Sequence, residues 1–132
     1  MPKILITGAS TGFGLATAEL FLAQGWDVVA TMRTPQAQTM PEHDRLQILM
    51  LDVTDADSIA QTVADVGVVD ALVNNAGVGM LNVLEGVDIA KARELFETNV
   101  IGTIAMTQAV LPGMRARKTG VIVNISSSVT LR

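Results

Sequence analysis

Short apolar runs alternate along the chain with segments whose apolar residues recur every three or four positions. Lys3 to Thr7 is a nearly continuous apolar run and predicts a buried strand. After Gly8 to Gly14, the positions Phe13, Ala16, Leu20 and Ala23 give a helix one apolar face, with Gly25 as its stop. Asp27 to Met32 predicts a second strand, and Arg33 to Arg45, polar and carrying Pro35 and Pro41, a loop. Leu46 to Leu51 predicts a third strand. Thr54 is the expected N-cap of a helix that buries Ile59, Val63 and Val66 and stops at Gly67. Val69 to Val73 predicts the fourth strand. A long helical region from Asp88 to Arg117 contains Gly102 and Pro112, so a break or kink is expected within it. Gly120 is expected to end it before a fifth strand, Val121 to Ile125.

Strands alternating with helices predict an α/β chain built on a parallel sheet. Right-handed crossovers and a glycine-rich turn after strand one imply a doubly wound sheet ordered 3-2-1-4-5, with a ligand crevice between strands one and four. No repeat or linker divides the chain, so residues 1–132 are expected to form a single domain. With 49% hydrophobic and 17% charged residues, the 132-residue chain is apolar enough to bury a core.

Charge and rare residues narrow the chemistry. A formal net charge of −4 lacks the basic footprint of a nucleic-acid binder, and no apolar run is long enough to span a membrane. A cytoplasmic location is expected. Cysteine is absent and His43 is the one histidine, so neither thiolate chemistry nor a cysteine or histidine metal cluster is expected. His43 reads as a solvated loop residue. The acid pairs Asp55/Asp57 and Glu94/Glu97 read as helix-start and surface charges, because nothing places them in one cleft.

The candidate chemistry begins in the turn Thr7-Gly8-Ala9-Ser10-Thr11-Gly12-Phe13-Gly14, between a strand and a helix. Missing side chains let backbone N–H groups approach a pyrophosphate, and the helix N-terminus adds partial positive charge. This spacing resembles the cofactor loop of the short-chain dehydrogenase/reductase family. The similarity continues through Leu51-Asp52-Val53, Asn74-Asn75-Ala76-Gly77, Asn99, and Val123-Asn124-Ile125-Ser126-Ser127, in family order along the chain. It implies a Rossmann-like fold in which Gly8, Gly12 and Gly14 shape the pyrophosphate turn, together with Ser10 and Phe13. Asp52, with Val53 beside it, would contact adenine; Asn75, Ala76 and Gly77 would support the sheet and line the nicotinamide ribose.

Cofactor choice follows from charge. An NAD site offers a carboxylate about 20 residues beyond the glycine turn, for the ribose 2′-hydroxyl. Here that stretch reads Ala30-Thr31-Met32-Arg33-Thr34, without an acid, and Arg33 could bind a 2′-phosphate through charge-assisted hydrogen bonds. NADP(H) is favoured over NAD(H).

The resemblance also implies hydride transfer between the nicotinamide and a small-molecule carbonyl or alcohol. Asn99 and Ser127 match two of the family's catalytic positions, with Ser126 and Ser128 as adjacent alternatives for the serine. The family's Tyr and Lys would fall beyond Arg132, and the chain contains no tyrosine. It is therefore expected to be truncated after strand five and catalytically incomplete on its own. A non-catalytic NADP(H)-binding module and a structural fragment are the alternatives. The exposed edge of strand five predicts self-association, as in a homo-oligomer.

Overall fold

The computed structural model describes residues 1–127. Five strands, β1 (Lys3–Ile6), β2 (Asp27–Met32), β3 (Leu46–Met50), β4 (Ala71–Asn74) and β5 (Val121–Asn124), form one sheet in the order β3-β2-β1-β4-β5. Every neighbouring pair is parallel, with Leu5 opposite both Val29 and Leu72, and Asn74 opposite Asn124. The doubly wound, Rossmann-like order read from the sequence is the one observed.

Among the described residues there are four α-helices, α1 (Gly12–Ala23), α2 (Ala56–Val66), α3 (Ile89–Phe96) and α4 (Gly102–Arg117), of which α1, α2 and α4 pack on the sheet. Because successive strand residues point to opposite faces, the core divides into two layers. Leu5, Val29 and Leu72 pack on one face with Ile59 and Val66 of α2 and with Met106, Val110 and Met114 of α4. Ile4, Ile6, Val28, Ala30 and Val73 pack on the other face with Ala18 of α1. Leu5 and Ile6 are fully buried, each worth roughly 1.5–3 kcal/mol relative to exposure. That explains why β1, the central strand, reads as an uninterrupted apolar run.

Three local expectations need correction. The expected apolar face of α1 is its exposed one, since Phe13, Ala16, Leu20 and Ala23 all lie outward. The helix is apolar nearly all round, so spacing alone does not choose a face, and the sheet takes the smallest residues, Gly14 and Ala18. The N-cap of α2 is Asp55 rather than Thr54: its carboxylate accepts from the N–H groups of Asp57 and Ser58, because Thr54 is engaged by Asp52. The end of α4 falls before Gly120, where Lys118 adopts a left-handed conformation at φ 56°.

The expected interruption of the long helical region is present and falls at Gly102, not at Pro112. A single π turn, Glu97–Ile101, joins α3 to α4, with the Gly102 N–H bonded to the Glu97 carbonyl, while Pro112 lies inside α4. Such turns recur at functional sites. Among the described residues no helix is long and apolar enough to cross a membrane.

Candidate functional site

The C-terminal ends of β1 and β4 are joined by a small set of hydrogen bonds. Buried Thr7, which follows β1, donates its hydroxyl to the Val73 carbonyl at 3.4 Å and accepts from the N–H groups of Asn75 at 3.0 Å and Ala76 at 2.9 Å. The Asn75 amide donates in return to the carbonyls of Thr7 at 3.1 Å and Gly8 at 3.0 Å. The glycine turn is thereby held against the loop that follows β4.

The glycines of that turn serve different needs. Gly8 has φ +65°, and a Cβ there would lie 2.8 Å from the Ala76 Cα. A Cβ at Gly14 would collide with the Gly8 carbonyl oxygen, so the first turn of α1 can seat beneath the loop only without a side chain. Thr11 precedes α1 without a side-chain capping bond. The first N–H groups of the helix therefore remain available to an anion, at the positive end of its dipole.

Beside the turn lies an open cleft of about 400 Å³. Gly8, Ser10, Arg33, Asp52, Val53, Asn75, Ala76 and Gly77 all line it, so eight positions singled out in the sequence converge on one surface. Arg33 follows β2 and is exposed; its guanidinium makes no hydrogen bond or ion pair among the described residues. Asp52 follows β3, and its Oδ1 accepts from the Thr54 hydroxyl at 2.7 Å and the Thr54 N–H at 2.9 Å. These two bonds, hydroxyl first, hold the Asp52 carboxyl below its usual pKa; partial burial opposes them and the Arg33 charge assists.

Gly12, Phe13, Gly14, Asn99 and Ser127 are not among the lining residues. Gly12 and Phe13 open α1 at the lip of the cleft, with Phe13 79% exposed, and Gly14 packs beneath the turn. Asn99 sits in the π turn and grips the backbone of Val78, a lining residue. Its Oδ1 accepts from the Val78 N–H at 2.8 Å, and its Nδ2 donates to the Val78 carbonyl at 2.8 Å. Ser126 and Ser127 follow β5 and are exposed; Ser128 lies outside the described residues.

Several contributors escaped the sequence reading. Thr7 enters the sequence only as the junction of a strand and the glycine turn, with no role for its hydroxyl, although a threonine closing an apolar strand before a glycine turn is a usable signal of a buried hydroxyl. Thr34, Val78 and Thr98 also line the cleft, each beside a residue already singled out. Asn74 enters the sequence only as the first residue of the motif Asn74-Asn75-Ala76-Gly77. In fact it is buried and donates its amide to the Thr107 hydroxyl at 3.1 Å and the Asn124 side chain at 2.9 Å.

Comparison with known proteins agrees with this geometry. The profile of the short chain dehydrogenase family matches residues 2–132. Human retinol dehydrogenase 8 is 39% identical over 98% of this chain and 45% of its own length. The NADP-dependent 3-hydroxy acid dehydrogenase YdfG of Escherichia coli is 36% identical over 95% of this chain and 54% of its own. Among solved structures, the closed form of serine dehydrogenase complexed with NADP+ superposes with a TM-score of 0.92 at 33% identity, covering 98% of this chain and 56% of that one. The chain spans about half the length of the curated relatives it matches. With a glycine turn pinned to the β4 loop, a cleft at the crossover between them, and a family match over nearly every residue, the chain belongs to the short chain dehydrogenase family.

Proposed function

We propose that this chain is the NADP(H)-holding portion of an oxidoreductase that moves a hydride between the nicotinamide and a carbonyl or alcohol of a small molecule. The observation that carries the cofactor choice is Arg33: an unpaired guanidinium at the cleft rim, one residue past β2, where an NAD-preferring site places a carboxylate. Support comes from the NADP+ complex of serine dehydrogenase and the NADP dependence of YdfG.

The residues present fit such a cofactor. Close approach of a pyrophosphate to the backbone needs positions without Cβ atoms, which Gly8 supplies at the lining, while Gly14 lets α1 seat beneath that turn. The uncapped first turn of α1 offers N–H donors to the anion. Arg33 offers a forked set of donors to a ribose 2′-phosphate, with Thr34 beside it on the same wall. Asp52 keeps its carboxylate ionised and oriented through Thr54, ready to accept from an adenine amino group. Asn75, Ala76 and Gly77 form the wall toward the nicotinamide end. Bound there, the nicotinamide would supply the hydride donor or acceptor. Asn99 would keep the wall in place through Val78, and the Ser127 hydroxyl would hold the substrate oxygen by a hydrogen bond.

Calorimetric titration of the chain with NADP+ and NAD+ tests this reading. Binding of NADP+ at least about tenfold tighter than NAD+ is expected from one or two charge-assisted hydrogen bonds to the extra phosphate. Equal affinities, or tighter NAD+ binding, would overturn it.

A further inference from the structure

The face that α4 turns to the sheet is apolar along most of its length, with Met106, Val110 and Met114 in the core. At its cleft end, Thr103 and Thr107 occupy the same stripe. Polar groups packed against a sheet need partners, and here the partners form a directed chain. The Thr103 hydroxyl donates to the Asn99 carbonyl at 2.9 Å, and the Thr107 hydroxyl donates to the Thr103 carbonyl at 2.8 Å. With its single proton so committed, Thr107 can only accept from the Asn74 amide at 3.1 Å. Asn74 also donates to Asn124, its register partner at the end of β5.

From this we propose that Thr103 and Thr107 are positioning residues whose hydroxyls form a strut from the paired ends of β4 and β5 to the π turn. The strut fixes where Asn99 holds Val78. A threonine hydroxyl bonded to the carbonyl four residues back is common in helices and alone would mean little. What differs here is the continuation at both ends. One end is anchored on a buried asparagine between two strands. The other meets the turn whose Asn99 side chain holds both the N–H and the carbonyl of one residue of the cleft wall, Val78. The turn is wedged on its remaining side as well: a Cβ at Gly102 would lie 2.6 Å from Val53 Cγ2, so the start of α4 presses directly on another lining residue. A shift in the π turn would therefore be felt at Val53 and Val78 together.

The assignment of a reaction role to this device rests on the oxidoreductase reading, but its mechanical content does not. Amide hydrogen exchange by NMR on the full chain, comparing wild type with Thr103→Val, Thr107→Val and Thr103→Ser, separates the two. The reporters are the N–H groups of Val78, bonded to Asn99, and Gly102, bonded across the π turn; the fully buried strand residue Leu5 is the reference. Both valine variants are expected to exchange about tenfold faster at Val78 and Gly102 than wild type, relative to Leu5, while serine restores slow exchange. Unchanged Val78 protection, or an equal acceleration at Leu5, would overturn the strut. If Thr103→Val does not fold, Thr107→Val carries the test. NADP+ titration of the same samples tests the cofactor reading independently: coupling without NADP+ binding refutes the reaction role, and binding without coupling refutes the strut.

Discussion

Replacing Gly14 by alanine should damage the site more than the same change at Gly12, although both glycines belong to one turn. The added Cβ at Gly14 would run into the Gly8 carbonyl oxygen and lie 2.5 Å from Asn75 Nδ2, a group already committed to the Thr7 and Gly8 carbonyls. Neither obstacle is the free end of a flexible side chain. Relief requires the turn to lift or Asn75 to release. Overpacking typically costs about 1–3 kcal/mol, and a released neutral hydrogen bond costs about 1 kcal/mol. Alanine's better helix propensity returns about 1 kcal/mol. A net loss of about 2 kcal/mol follows, which at this chain length lowers Tm by roughly 6–10 °C.

Gly12 has φ +60° and nothing within 4 Å of an added Cβ, so its cost is conformational only. Asparagine tolerates that left-handed conformation better than alanine does. Thermal unfolding followed by circular dichroism can separate the two mechanisms. At position 12, asparagine should be milder than alanine; at position 14, it should be at least as damaging. Equal stability of Gly14→Ala and wild type, or the same ranking of alanine and asparagine at both positions, would refute this account of the turn.

Other perturbations have equally definite expected outcomes. Thr54→Val removes the hydroxyl that most strongly lowers the Asp52 pKa, and should cost about 1 kcal/mol at neutral pH. Because the folded pKa is depressed, that contribution is present above the ordinary aspartate pKa and lost as pH falls through the folded value, so urea melts of wild type and variant should converge in acid. Gly102→Ala places a Cβ 2.6 Å from Val53 Cγ2 and should destabilise by about 1–3 kcal/mol; it should also weaken NADP+ binding in a titration, because Val53 can yield only toward the cleft or the core. Val121 and Val123 of β5 are exposed on one face of the sheet, and light scattering of the 132-residue chain should show concentration-dependent association through that apolar face. A monodisperse monomer with fully protected β5 amides would contradict that.

The fold was legible because its signals were redundant. Central strands buried on both faces leave apolar runs such as Lys3 to Thr7, and the glycine turn fixed the first crossover. The facing of α1 was not legible: nearly every side of that helix is apolar, and close approach to the sheet, rather than hydrophobicity, decided in favour of Gly14 and Ala18. At the site, residues carrying charge or lacking a side chain announced themselves, and four of them, Gly8, Arg33, Asp52 and Gly77, line one cleft. The groups that hold those residues in place were harder to see. Thr7, Thr54, Thr103 and Thr107 act through single hydroxyls on partners that are mostly distant in sequence or a helical turn away, and an isolated threonine in an apolar stretch does not reveal its partner. The π turn was half legible: Gly102, which closes it, signalled an interruption, but the Glu97–Ile101 segment carries no helix-breaking residue to say what form it takes.

The central claim, that the cleft is built for the 2′-phosphate of NADP(H), is tested most directly at Arg33. Calorimetry of wild type and Arg33→Ala with NADPH and NADH, side by side at fixed ionic strength, isolates that one group. NADPH affinity should fall by about 10- to 100-fold, the worth of charge-assisted hydrogen bonds at an exposed rim, while NADH affinity stays within about twofold. Unchanged NADPH affinity, or equal losses for both nucleotides, would contradict the account.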